Sequence, residues 1–287
     1  MRKYSQLKKS IFFGIFLLVF YFGGSFLLSF IFKHFNIKLT TIQAVLVSQL
    51  GLVLVPVIIY FIVTRDSLIK TLKLYPINLP CLIKVILFSF CIQPLVMTIS
   101  AIGNLVFTNY TTSTMLSLSS SLPYPVMLLL AAVLPAFIEE ISTRGIILSG
   151  FKGMLAFPAA IVNGLIFAIL HGNIQQGLYA FVLGFIFVYL VNAAGSIAAS
   201  MTAHFIVNAT FVTMIYAMSG IYDNLDAYYA RTSAQSSSVL GSPEMAIAIV
   251  MLLVLVAGFT FLAYLLYRSI KNQGRTFFKD RSNTITI

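Results

Sequence analysis

The chain has 287 residues, of which 60% are hydrophobic and 9% charged, and its net charge is +11. A soluble domain is roughly 25% charged, so this composition excludes a water-soluble enzyme and specifies an integral membrane protein. The basic excess sits at the ends of apolar runs, with no basic and aromatic interleaving; it speaks for membrane orientation and against a nucleic-acid partner.

The apolar runs are separate and each about 20 residues long, the length a bilayer core requires. Alternation with a period of two is absent, which favours helices over a β-barrel. The expected fold class is all-α: a polytopic membrane protein of about eight transmembrane helices enclosing a polar intramembrane active-site cavity. The predicted spans are 11–32, 41–63, 82–107, 124–149, 158–171, 175–193, 196–218 and 244–267. Arg2, Lys3, Lys8 and Lys9 precede the first run, which is longer than a signal-peptide core and has no small-residue cleavage site after it; we read it as a retained helix.

A basic linker with Arg65, Lys70, Lys73, Pro76 and Pro80 follows the second span. Residues 108–122 are rich in Ser and Thr, uncharged, and read as a flexible outer connection without chemistry. Residues 219–243 read as a polar outer loop holding Asp223, Asp226 and Arg231. The tail beyond Tyr267 is basic, as expected of a stretch on an anionic membrane surface. With both termini in the cytoplasm, 15 Lys and Arg residues fall inside and three, Lys33, Lys38 and Arg231, fall outside. That is a strong positive-inside bias, as expected for a multi-pass protein of a bacterial plasma membrane. No internal repeat is visible, which argues against an inverted-repeat transporter. Cys81 and Cys91 lack metal-like spacing and read as reduced thiols. The chain reads as a single integral membrane domain, with spans one to three in 1–123, a motif-bearing core in 124–218, and the outer loop, last span and tail in 219–287.

Chemistry is concentrated in three places. Glu139 and Glu140 are two of only seven acidic residues and lie inside an apolar run. An ionisable group at that depth marks a functional site by default. Glu140 and Arg144 are four apart on one helical face, with Glu first, the better orientation for an ion pair. Glu139 is rotated about 100° away and remains free to act as a general base. His171 ends the fifth span, with Phe167 one turn before it. That span, at about 14 residues, is too short to cross the bilayer, so the segment after His171 lies at membrane depth, where irregular backbone is tolerated only against protein or water. His204 and Asn208 again lie four apart, on the seventh span. Each motif alone also suits a structural ion pair, an interfacial histidine or interhelical hydrogen bonding. Together, Glu139, His171, His204 and Asn208 make a hydrolytic set: a carboxylate and an imidazole for water, an imidazole and an amide for an oxyanion. The same Glu139, His171 and His204 set could instead ligate zinc.

Glu139-Glu140-x-x-x-Arg144, Phe167-x-x-x-His171 and His204-x-x-x-Asn208 resemble, in order and on successive spans, the motifs of the CPBP (CAAX protease and bacteriocin-processing) family, also called the Abi or type II CAAX prenyl endopeptidase family. The resemblance implies an intramembrane endopeptidase working near the cytoplasmic side. In it Glu139 and His171 activate water, and His204 with Asn208 holds the oxyanion. Glu140, Arg144 and Phe167 give structural support; no cofactor is favoured, and zinc is the alternative. It also implies a peptide or membrane-protein substrate, and a role in peptide-signal processing or bacteriocin self-immunity. The alternatives are a non-catalytic membrane scaffold or immunity factor, and a transporter using the polar cavity. Depth sets one tension: at 1.5 Å per residue, His171 lies deeper from the cytoplasmic side than Glu139 and His204.

Overall fold

The computed structural model describes the backbone at 2–108, 110–232 and 243–284, and the side chains at 6–108, 111–218 and 247–274. Among the described residues it is all-helical: α1 Arg2–His34, α2 Thr41–Thr64, α3 Leu68–Leu72, α4 Leu79–Asn104, α5 Tyr110–Ser119, α6 Tyr124–Ile147, α7 Ala156–Leu170, α8 Ile174–Ala194, α9 Ile197–Thr232 and α10 Pro243–Thr284. Seven of these are long and apolar enough to cross a membrane, and α7 is the shorter apolar helix. The protein is an all-α polytopic membrane protein, and the short fifth helix lies where the sequence places it.

Local chemistry explains the breaks. Thr40 caps α2 in a reciprocal box with Gln43, Asn78 caps α4 and Asn173 caps α8, each supplying an acceptor to an otherwise orphaned first-turn N–H. Gly195, at φ 70°, closes α8 in the left-handed region that glycine enters without strain.

α8 is the centre of the bundle. Its Leu183, Phe187 and Leu190 join a core with Phe88 and Ile92 of α4, Ala203 of α9 and Ile270 of α10. Its Val188 and Val191 join a second core with Leu17, Val57, Ile146 and Ala160. Two glycines let α7 and α8 approach closely, the small-residue packing typical of membrane helices. A Cβ on Gly184 would lie 2.7 Å from the Gly164 Cα. Gly184→Ala should therefore lower stability by about 1–3 kcal/mol through overpacking; an unchanged melting temperature of the purified protein would show that the pair separates at no cost.

Polar contacts gather one end of the bundle. Lys9 pairs with Asp66 at 3.1 Å, Tyr60 donates to Asp66, Lys73 to Asn192 and Lys84 to Gln273. The start of α1, the α2–α4 linker, the α8–α9 turn and the distal part of α10 thus share one end of the bundle. Burial, with Lys152 nearby, holds the Lys73 ammonium down to about 8. Competitive acylation followed over pH should place the Lys73 reactivity midpoint near 8; a midpoint in the ordinary lysine range, about 10.4, would contradict that environment.

Three connections differ from the sequence reading. The Ser/Thr-rich stretch holds the helix α5, because Leu118 packs on Met127 of α6 and Val212 of α9 with Met115 beside them; tertiary burial outweighs modest helix propensity. The segment read as an outer loop from 219 continues α9 to Thr232, for no proline interrupts it. The placements of Asp223, Asp226 and Arg231 lie outside the described side chains, and 233–242 lies outside the described residues. α10 runs without a break past Tyr267 to Thr284. Cys81 and Cys91 are free and buried.

Candidate active site

The site grows from the irregular course of α6. In an α-helix the Ala131 carbonyl would accept the N–H of residue 135, but Pro135 has none. The turn over Leu129–Val133 widens to π geometry, a distortion common at functional positions. Asn208 of α9 donates its Nδ2 to the Ala131 carbonyl at 3.2 Å, a neighbour re-satisfying backbone freed by proline. An amide nitrogen carries two protons, so the other remains available for a ligand.

One helical turn beyond Pro135 stands the glutamate pair. Glu140 and Arg144 are both fully buried and meet at 2.9 Å. Arg144 also donates to Thr143, and its guanidinium lies 4.3 Å from the Phe167 ring centre and 5.3 Å from that of Phe187. Cation–π contact is worth most in such desolvated places. Gly184 leaves room for the guanidinium: a Cβ there would lie 3.3 Å from Arg144 Nη2.

Glu139 takes the other direction. It accepts from Gln49 Nε2 of α2 at 2.9 Å, and its Oε2 is 4.0 Å from His204 Nε2. His204 turns its Nδ1 to Glu140 Oε1 at 3.0 Å. An ionised carboxylate only accepts, so Nδ1 carries a proton and Nε2 faces Glu139. His171 stands just past α7, its Nδ1 2.7 Å from the Phe167 carbonyl. Donation to that carbonyl fixes the tautomer and leaves Nε2 as an acceptor. Phe167 joins the two histidines: its ring packs edge-on against His171 at 4.7 Å and against His204 at 5.6 Å. Glu139, His171, His204 and Asn208 all line one cavity of about 250 Å³. The difference in depth counted along separate helices therefore does not keep the four apart.

Among the described residues, no group of three or more His, Cys, Asp or Glu side chains is placed to hold a metal ion. Nδ1 of each site histidine is already engaged, which leaves Nε2 as the nitrogen open to water, a proton or a metal.

Sequence reasoning missed three contributors. Gln49 is an amide six residues into the apolar span beyond Gln43, and its only signal is that depth. Pro135 could have pointed to a freed carbonyl at Ala131, but not to Asn208 as its partner. Met115 and Leu118 of α5 line the cavity, although their segment reads as a plain connection.

Fold and site together define a polytopic helical membrane protein with a glutamate, two histidines and an asparagine around a cavity beside a buried Glu–Arg pair. Residues 121–210 match the family model described as Rce1-like, type II CAAX prenyl endopeptidase. All three motifs lie within that segment, whose similarity to the Rce1-like model agrees with the CPBP/CAAX resemblance. No curated protein and no solved structure matches the chain.

Proposed function

We propose that this protein is an intramembrane endopeptidase that hydrolyses a peptide bond in a small peptide or a membrane-protein tail, using water activated by Glu139 and His171. The observation that carries this reading is that Glu139, released from the ion pair that occupies Glu140, shares one cavity with His171, His204 and Asn208.

In the proposed reaction, Glu139 takes a proton from water while the His171 Nε2 lone pair orients it. The water oxygen bonds to the scissile carbonyl carbon, and the carbonyl π electrons move to oxygen. The free Asn208 amide proton and a protonated His204 Nε2 receive that oxyanion. The oxyanion collapses, the C–N bond breaks, and Glu139 returns its proton to the departing nitrogen. The products are a carboxylic acid and an amine, which ionise to a carboxylate and an ammonium. Glu140 Oε1 accepts from both His204 Nδ1 and Arg144 Nη1. In its setting the protein would be a bacterial plasma-membrane enzyme with cytoplasmic termini, acting in peptide-signal processing or bacteriocin self-immunity.

The test compares the wild type with Glu139→Gln and Glu139→Ala, following product from candidate membrane peptides by mass spectrometry. Product from the wild type alone is expected, and full processing by both variants would end the protease reading. Wild-type turnover should survive a metal chelator; loss on chelation with recovery on zinc would replace the metal-free mechanism.

A further inference from the structure

A second cavity, about 260 Å³, lies beside the first among α4, α5, α8 and α9. The two share a wall: Asn208 and Tyr179 line both. The described contacts leave polar atoms open in it. Gln93 is 9% exposed and Gln175 1%, yet Gln93 Nε2 and Gln175 Oε1 have no hydrogen-bond partner. Gln175 is not loosely held, because its Nε2 donates to Ser100 Oγ at 3.0 Å. That bond commits the nitrogen and leaves the oxygen as the open acceptor.

A buried polar atom without a partner costs about 1–3 kcal/mol, and two residues of this wall carry an unmet donor and an unmet acceptor, which an occupant that turned the amides toward it would satisfy. An extended peptide offers exactly one N–H and one C=O per residue along its backbone. The rest of the lining is apolar and adaptable: Val96, Met97, Phe211, Met214 and Ile215. Methionine fills irregular gaps around varied apolar groups.

We infer that this second cavity is a substrate subsite. It binds the peptide on one side of the scissile bond, its main chain between Gln93 and Gln175 and a large apolar side chain against Met97, Met214 and Ile215. The inference rests on the hydrolase reading, and it gives Asn208 a place at the junction between the bound segment and the bond to be cut.

The experiment uses the full-length protein in lipid nanodiscs and a library of apolar peptides, each with a photoreactive benzophenone residue at a defined position. Irradiation followed by peptide mapping reads occupancy whether or not a bond is cut; product formation by the wild type reads hydrolysis separately. Cross-links at Met97 and Met214 are expected. Ile215→Trp, which fills the cavity, should reduce them and lower kcat/KM for peptides with a large apolar residue roughly 10-fold relative to those with a small one. Ile215→Ala should move the preference the opposite way, and it decides the matter if the tryptophan variant does not fold. Labelling without cleavage by the wild type would sink the hydrolase reading and leave the peptide site standing. Cleavage with labels confined to the first cavity, no labelling at all, or an unchanged size preference in Ile215→Ala would overturn the subsite.

Discussion

Glu139→Gln should slow the proposed peptide-bond cleavage by roughly 10²–10⁴-fold, the span attributable to a general base, while leaving the protein folded. The substitution keeps the shape of the side chain and an acceptor oxygen for Gln49, which now contacts Glu139 at 2.9 Å. It removes only the capacity to take a proton. Melting temperature and single-turnover rate measured on the same preparation separate these effects: a lost rate with an unchanged melting temperature assigns Glu139 to chemistry, and parallel loss of both would make it structural. Asn208→Ala provides the comparison at the other end of the site. Loss of an oxyanion donor costs roughly 10²–10³-fold in kcat with little change in KM, and an effect confined to KM would place Asn208 in substrate binding alone.

Glu140→Ala should produce the largest loss of stability of any single substitution at the site, about 3–5 kcal/mol. Arg144 would be left charged and fully buried, with its Nε and Nη2 already lacking hydrogen-bond partners; Thr143, two aromatic faces and the more distant Glu139 would not replace the lost bond. The cost comes from the stranded cation more than from the missing bond. The paired replacement Glu140→Leu with Arg144→Met removes both charges and should recover most of the stability, since well-packed apolar residues often replace a buried ion pair at no cost. Activity should not return with it, because His204 would still lack its Nδ1 acceptor. Thermal unfolding of both variants checks the prediction, and an unchanged melting temperature for Glu140→Ala would contradict the assigned pairing.

Much of this architecture was legible in the sequence because membrane helices announce themselves by length and hydropathy. The four-residue spacing of Glu140 with Arg144, Phe167 with His171, and His204 with Asn208 fixed which side chains share a face. Spacing along one helix cannot say which neighbour that face meets, so Gln49 and the Ala131 carbonyl stayed invisible. α5 was hidden for another reason: Ser and Thr are indifferent helix formers, and the packing of Leu118 and Met115 against other helices is not visible along the chain. The continuation of α9 to Thr232 went unread because polarity was taken for a loop, although nothing in 221–232 breaks a helix.

Pro135 carries a consequence for inheritance. Its ring denies Ala131 a backbone partner, and Asn208, 73 positions later, takes the vacancy. A non-proline residue at 135 would restore the backbone N–H and compete for the same carbonyl, freeing the asparagine to swing from its post. The two positions thus form one selectable unit across distant helices: drift at either is constrained by the other, and lineages that abandon the ring should abandon the amide with it.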